Sequence, residues 1–411
     1  MNQRTETAII GGGPAGLSCS HHLTRRQREH VVLEQGRVAE TWRTRRWDGF
    51  RLNTPSFFLN LPGSRYDGDD PEGFLTGAET VTYLERYCAR NDAPVRTGVR
   101  VLKLARRGVR FLLETSDGAL EADNVIVATG AFQRPGPRPA RGKPAPRILQ
   151  LHASEYRRPD QLPAGNVLVV GSGQSGCQIA NELNADGRRV YLSLGRCPSV
   201  PLLYRGGQFG RWAIDLGLMD DTVASLPSPD ARQLCNPVVG HVGGHLCNAE
   251  RLAREGVVLI GRIEALQGSI AHVTPDAAER LAEAAGFAAA FKRRVDAFIE
   301  AGGRTAPEEP HGEHARTVAS DLRELDLGAE DVGTIVWANG YRPDFSWVRL
   351  PVFDRAGWPV QTRGATAVRG LGFVGLPWLY KRKSALLFGV GEDAEHVVST
   401  IVGDSPPARR L

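Results

Sequence analysis

TAIIGGGPAGL, residues 7–17, and NVLVVGSGQSGCQIANEL, residues 166–183, each run from a short apolar stretch through a glycine turn into a helical pattern. Gly-x-Gly-x-x-Gly follows the apolar stretch both times, as Gly11, Gly13 and Gly16 and again as Gly171, Gly173 and Gly176. In such a set the first glycine permits a tight turn and the second lets backbone approach a pyrophosphate. The third lets helix and strand pack closely, so that phosphates sit at the helix N-terminus. Pro14 suits the first helical turn. One such motif can serve packing alone, but two, each between strand and helix, point to two dinucleotides.

The two units end differently. VVLE closes on Glu34, eighteen positions after Gly16, where a carboxylate can accept both hydrogen bonds of an adenosine ribose. The same count from Gly176 reaches Leu194, flanked by Ser193 and Arg196. A hydroxyl and a guanidinium there favour a 2′-phosphate, hence NADPH over NADH. The reading is one site for FAD and one for the nicotinamide that reduces it.

Further apolar runs at 31–33, 125–128, 190–194, 257–260, 334–337 and 371–374, separated by helical patterns, predict an α/β fold with parallel sheet. The expected architecture is two Rossmann-like dinucleotide-binding domains, the NADPH domain inserted into the FAD domain. Residues 1–155 and 332–411 would form the FAD-binding domain and 160–330 the NADPH-binding domain, with a helical, substrate-facing insertion around 198–250 and 275–302. RPGPRPARGKPAPR (134–147) is too rich in Pro and Gly for a regular element and marks one crossing between domains. The other is expected near 320–333, where a charged helical stretch gives way to the TIVW strand. The Ala-rich segment from Pro275 to Gly302 predicts one or two surface helices.

The 411 residues, 41% hydrophobic and 24% charged, have ordinary globular composition and suffice for two cored domains. A net charge of +5 is spread over the chain, and KRK at 381–383, its densest basic run, is too short to argue for nucleic acid. No apolar stretch approaches the ~18 residues of a membrane span, and the first motif leaves no room for a signal peptide. A cytoplasmic protein without nucleic-acid or membrane partners is expected, with a homodimer left open. Six cysteines form no Cys-x-x-Cys pair. The pairs His241/His245 and His311/His314 sit among glycines and polar loop residues, and no metal is expected.

With both motifs placed, the chain resembles the class B flavin-containing monooxygenases over nearly its whole length. The carriers are GGGPAGL (11–17), VIVATG (125–130), LHASEYRRP (151–159), VVGSGQSG (169–176) and VWANGYRPDF (336–345). RLNTP (51–55), GRCPSVP (195–201), GLPWL (375–379) and GVGEDA (389–394) bring it nearer to a bacterial subgroup. Of the fingerprint F-x-G-x-x-x-H-x-x-x-(Y/F/W), His152 and Tyr156 are kept, whereas Pro146 and Ile148 stand for Phe and Gly.

The resemblance implies cofactor contacts from Ala15, Gln35, Trp42, Val101, Ala128, Thr129, Gly130, Gln174, Ser175, Asn339, Ser384 and Asp393. It also implies that Asn53 faces the flavin and acts in catalysis, although a turn before Thr54-Pro55 accounts for an Asn equally well. His152 reads more as a hinge residue than as an acid or base. Tyr204, Phe209, Trp212, Phe57, Phe58, Trp347, Trp378 and Tyr380 are candidates for the substrate pocket, with ordinary core as the alternative, and Arg205 for an anionic substrate group or, equally, for NADPH. The implied activity is NADPH- and O2-dependent oxygenation of a small organic substrate at N, S or an activated carbonyl through a C4a-hydroperoxyflavin. An NADPH oxidase without oxygen transfer and a non-catalytic FAD/NADPH-binding sensor are the rivals.

Overall fold

The structure, a computed structural model, describes residues 3–196, 198–228, 241–242, 245–303, 305–308 and 319–403. All eight apolar runs named above form strands, and they sort into two sheets. The first has nine strands, with Leu371–Phe373, Gly118–Val127, Gln3–Ile10, His30–Leu33 and Val95–Arg96 side by side and parallel. The second is wholly parallel, in the order Leu149–His152, Val332–Trp337, Asn166–Val170, Val190–Ser193 and Val258–Ile260. Central strands of such sheets are covered on both faces, which is why they read as apolar runs rather than alternations. Ile9, Val32 and Ile126 in the first sheet and Val167, Leu192 and Ile335 in the second are fully buried.

The second sheet moves the predicted domain limits. Leu149–His152 and Val332–Trp337 were expected in the first domain, but both belong to the second sheet, where Val332–Trp337 pairs with Asn166–Val170. Without that ladder a buried central strand would leave one row of backbone groups unpaired. The Pro-rich linker also forms strands: Arg134–Pro135 pairs with Tyr341–Arg342, and Arg141–Pro144 lies at the edge of a four-stranded sheet beside Ile263–Gly268. Edge positions tolerate proline because one row of N–H groups needs no partner there. The stretch expected to be helical before TIVW is instead the strand Glu324–Asp326 and a turn.

The Ala-rich segment is one helix, Ala277–Ala301, and it packs on the 198–220 insertion through Val200, Tyr204, Trp212, Phe291, Val295 and Ile299. This insertion is also fastened to the other sheet's side of the molecule. Lys381 and Lys383 both reach Asp220, at 2.7 and 3.0 Å, Arg382 reaches Asp221 at 2.9 Å, and Lys381 also binds Glu392 at 3.0 Å. The KRK run is therefore a latch between parts of the chain. Among the described residues, no helix is long and apolar enough to cross a membrane.

Burial by itself would raise the Asp220 carboxyl, but the two ammonium groups outweigh it and hold the group below its ordinary value. A depressed carboxylate contributes stability above its unfolded pKa and loses it as pH falls through the folded value. Asp220→Ala should therefore cost about 1–2 kcal/mol at neutral pH, modest because the carboxylate is half exposed. The difference in urea unfolding between variant and wild type should shrink on acidification.

Candidate functional site between two glycine cradles

The two cradles are built alike. Gly11 N–H donates to Leu33 O at 2.9 Å and Ala128 N–H to Ile10 O at 2.9 Å; Gly171 N–H donates to Ser193 O at 3.0 Å and Ala338 N–H to Val170 O at 2.8 Å. Gly11 and Gly171 hold φ of 114° and 112°, a region that favours glycine. A Cβ on Gly16 would lie 1.9 Å from Gly11 O, and one on Gly176 would lie 1.7 Å from Gly171 O. Gly13 differs, since a Cβ there would meet nothing within 4 Å. The first and third glycines are thus demanded by the protein's own packing, and the second faces open space. Gly13 and Gly173 are the N-caps of the helices Pro14–Arg25 and Gln174–Ala185, and neither helix start has a side-chain cap. Ala15 and Gln174–Gly176 lie in those first turns, where uncapped N–H groups suit an anion.

Glu34 ends its strand buried, with Oε2 accepting Gly12 N–H at 2.7 Å and Oε1 accepting Gly36 N–H at 2.9 Å. Each oxygen keeps a lone pair for a further donor. Gln35 beside it is exposed. Val101 opens the strand Val101–Arg107, and the residue tied to Glu34 is instead Val99, whose N–H donates to Glu34 O at 2.9 Å.

At the second strand end Leu194 is buried and Arg196 exposed, but Ser193 points inward and donates its hydroxyl proton to Gly261 O at 2.9 Å. That bond and its burial take Ser193 away from any 2′-phosphate, which corrects the sequence assignment. A shallow cleft beside Leu194 and Gly195 is lined by Ser172, Ser199, Asn248 and Arg280. Arg280 is already bound to Asp276 at 3.2 Å and Glu283 at 2.6 Å.

The carboxyl ends of both sheets meet at one seam. The chain leaving Gly130 and the chain leaving Asn339 pair antiparallel, Pro135 opposite Tyr341, and Gly136 N–H donates to Gly340 O at 2.8 Å. Gln133 stiffens the first exit by donating to Thr129 Oγ1 at 2.9 Å and Gly130 O at 2.7 Å. His152 closes the second. Its Nδ1 accepts Ser154 N–H at 3.1 Å, so the ring proton sits on Nε2, which donates to Gly340 O at 3.0 Å. Burial lowers the His152 pKa and outweighs the bond to Gly340. With both nitrogens engaged in backbone bonds and the ring neutral, His152 is a hinge fastener.

Trp42, half-buried, lies in this region against Phe50, and Arg46 sits over both rings at 5.4 and 5.3 Å. Asn53 Oδ1 accepts Gln178 Nε2–H at 2.7 Å, joining the loop after the first unit to the helix of the second. Asn339 donates its amide to Pro137 O, and its Oδ1 is buried without a partner. Ser384 is spent differently from expectation: its Oγ accepts the N–H groups of Tyr380 and Lys381 and its proton goes to Asp393. It holds a turn and has nothing left for a cofactor. Asp393 Oδ2 is buried and unpartnered, and burial raises its carboxyl to about 6.

The pocket aromatics divide. Tyr204 donates to Asp296 at 2.8 Å, Trp212 donates to Tyr204 O at 2.7 Å, and both are core of the insertion. Arg205 faces Asp296 at 3.7 Å. Trp347 packs on the first sheet's cluster and donates to Asp344 O at 3.0 Å. Phe57, Phe58 and Phe209 lie where the insertion meets the first unit, while Trp378 and Tyr380 carry Arg382 and Arg363 over their rings. Among the described residues no His/Cys/Asp/Glu cluster could hold a metal; His311 and His314 lie outside them, and His241 and His245 sit on a short antiparallel pair.

These features fit a dinucleotide in each cradle: open space at Gly13, a buried carboxylate at the first strand end, and orphaned oxygens on Asn339 and Asp393. Residues 8–198 match the family model described as pyridine nucleotide-disulphide oxidoreductase. A double mutant of a flavin monooxygenase from Stenotrophomonas maltophilia shares the fold at TM-score 0.67, with 21% identity over 97% of this chain and 98% of that one. Rice indole-3-pyruvate monooxygenase YUCCA1 is 31% identical over 186 residues, 44% of this chain and 45% of its own length. A CzcO-like oxidoreductase of Geobacillus kaustophilus is 32% identical over 406 residues, 98% of this chain and 99% of its own. The fold defines an oxidoreductase with the architecture of the flavin-containing monooxygenases. Within that class, the chain belongs to the CzcO-like oxidoreductase family.

The two kinds of glycine give separable outcomes. Gly16→Ala should cost about 1–3 kcal/mol in urea unfolding of the apoprotein, because the new methyl has no room. Gly13→Ala should unfold like wild type yet be purified with little or no FAD. Equal stability loss in both variants would contradict this division.

Proposed function

We propose that the protein is an NADPH- and O2-dependent monooxygenase acting on N, S or an activated carbonyl of a small organic substrate. The observation that carries this reading is the seam, where the chain leaving the first sheet past Gly130 pairs with the chain leaving the second past Asn339, as Arg134–Pro135 against Tyr341–Arg342. Ligands of open α/β sheets lie beyond the carboxyl ends of the strands, so two crevices meeting there bring two dinucleotides toward one another. FAD in the first crevice supplies, once reduced by NADPH, the activation of O2 for transfer of one oxygen atom.

The chain's own residues supply the setting. Glu34 and the N-terminus of Pro14–Arg25 would hold the FAD adenosine and pyrophosphate; the N-terminus of Gln174–Ala185 and Arg196 would hold NADPH. Asn53 stands at the junction as a donor that is not an acid, and neutral His152 pins the hinge without offering a labile proton. Excluding water from this seam favours oxygen transfer over release of H2O2.

The thiols support oxygen chemistry over disulfide reduction. Among the described residues, Cys19, Cys177 and Cys247 are buried and Cys88 is half-buried, and none of the four forms a disulfide. Burial pushes Cys247 up to about 12 and raises Cys19 and Cys88 as well. Protein thiols so disposed are poor nucleophiles.

Anaerobic NADPH should bleach the flavin of the purified protein. In air, a screen of amines, sulfides and ketones scored for NADPH consumed against H2O2 released should find substrates that lower the H2O2 share. Release of all O2 as H2O2 with every compound would make it an oxidase, and absence of bleaching would end both readings. Arg196→Ala should raise KM for NADPH about tenfold and leave KM for NADH unchanged.

A further inference from the structure

Gln178 belongs to neither glycine motif, yet it is 3% exposed and lies in the second turn of Gln174–Ala185. Its Nε2 donates to Asn53 Oδ1 at 2.7 Å and approaches Arg51 O at 3.4 Å. A side-chain amide has nearly the same shape after a half-turn, so its sense must come from its neighbours. A backbone carbonyl only accepts. Arg51 O therefore selects the NH2 end of Gln178, and that end in turn selects the oxygen of Asn53. The Asn53 NH2 is left turned away from the helix, on a half-buried residue at the junction of the two units.

We propose that Gln178 is a positioning residue that sets the donor sense of Asn53, so that an N–H rather than a C=O faces the flavin. This rests on the reading that Asn53 faces the flavin. Glu182, one turn along the same helix face, extends the grip: Oε2 accepts the Tyr156 hydroxyl at 2.9 Å, and Oε1 lies 2.6 Å from where a Cβ on Gly49 would stand. The helix that begins at the second cradle thus holds Arg51 and Asn53 through Gln178, with Glu182 leaving room only for a glycine at position 49. The sequence does carry a trace of this, a polar pair four residues apart on a helix whose Cys177, Ile179, Ala180 and Leu183 are buried.

The test is Gln178→Glu in the FAD-loaded protein. An ionised Glu only accepts, so Asn53 must turn its NH2 toward the helix; a protonated Glu donates as Gln does. At high pH the flavin reduction potential and visible band should shift from wild type, and H2O2 released per NADPH should rise about tenfold, the scale of one misplaced hydrogen bond. On acidification all three should return toward wild type. Glu182, whose carboxyl burial raises, lies on the same helix with the Asp48 carboxylate beside it, so wild type is measured over the same pH range. Arg51 and Tyr156 also face this loop, and burial raises the Tyr156 phenol away from that range.

Asn53→Ala should shift potential and band without any return at low pH, and adding Gln178→Glu to it should change nothing further. Gln178→Met, which cannot donate or ionise, should shift both without pH dependence and stands in if the Glu variant does not fold. If Asn53→Ala shifts the flavin but neither Gln178 variant does, the positioning role is wrong and the flavin-facing Asn53 stands. If Asn53→Ala leaves band and potential unmoved, the flavin-facing reading fails and takes this inference with it.

Discussion

A backbone oxygen less than 2 Å from where a Cβ would stand is the constraint on which the molecule depends. It occurs twice, between Gly16 and Gly11 O and between Gly176 and Gly171 O. Only without those two side chains can each helix start lie against the turn that feeds it. That contact fixes the direction of the helix N-terminus, and the N-terminus fixes where an anionic ligand can sit. The same turn brings Gly11 to Ala128 O and Gly171 to Ala338 O, so each cradle is locked to the strand whose exit forms the seam. Ligand placement and seam geometry follow from one steric fact, repeated.

The sheet cores were legible because covered parallel strands have no polar face to interrupt them. Val167 through Val170 are all buried, and so are Ile335 through Trp337. The hairpin Val101–Arg107 with Arg110–Thr115 escaped notice for the opposite reason: it is partly exposed, with Leu102 at 53% and Val109 at 81%, and its apolar residues do not end on glycine. The domain limits were misplaced because a strand's sheet is decided by its neighbours in space. Nothing local to Val332–Trp337 says that its partner is Asn166–Val170 rather than Gly118–Val127.

Site residues divide in the same way. The packing of the turn glycines and the place of Glu34 at its strand end could be read because one is steric and the other sits at a fixed offset from a motif. Ser193 and Ser384 could not be judged, since a hydroxyl is claimed by whichever backbone group is nearest, Gly261 O in one case and the Tyr380 and Lys381 amides in the other. KRK likewise reads as a surface charge run until Asp220 and Asp221 are seen opposite it. In each case the missing information is a partner distant in sequence, and hydrogen bonds and ion pairs are more dependent on such partners than apolar burial is.

Among the described residues, the polar side chains of the seam are mostly amides, and the Asp344 carboxylate there is paired with Arg134. Asn53 and Gln178 face each other as amides, Gln133 stiffens one exit as an amide, and His152 is held neutral by burial between two backbone bonds. Carboxylates are present nearby but engaged: Glu182 holds Tyr156, and Glu34 holds two backbone N–H groups at the far end of the cradle. Amide donors can orient a polar group without delivering a proton to it, whereas a histidinium or a carboxylic acid would do both. For the proposed reaction, whose unproductive branch would end in H2O2, that difference would separate holding oxygen from losing it. The polar groups at the seam would therefore suit the proposed oxygen transfer, and backbone carbonyls, which do not titrate, set the senses of Gln133, Gln178 and His152.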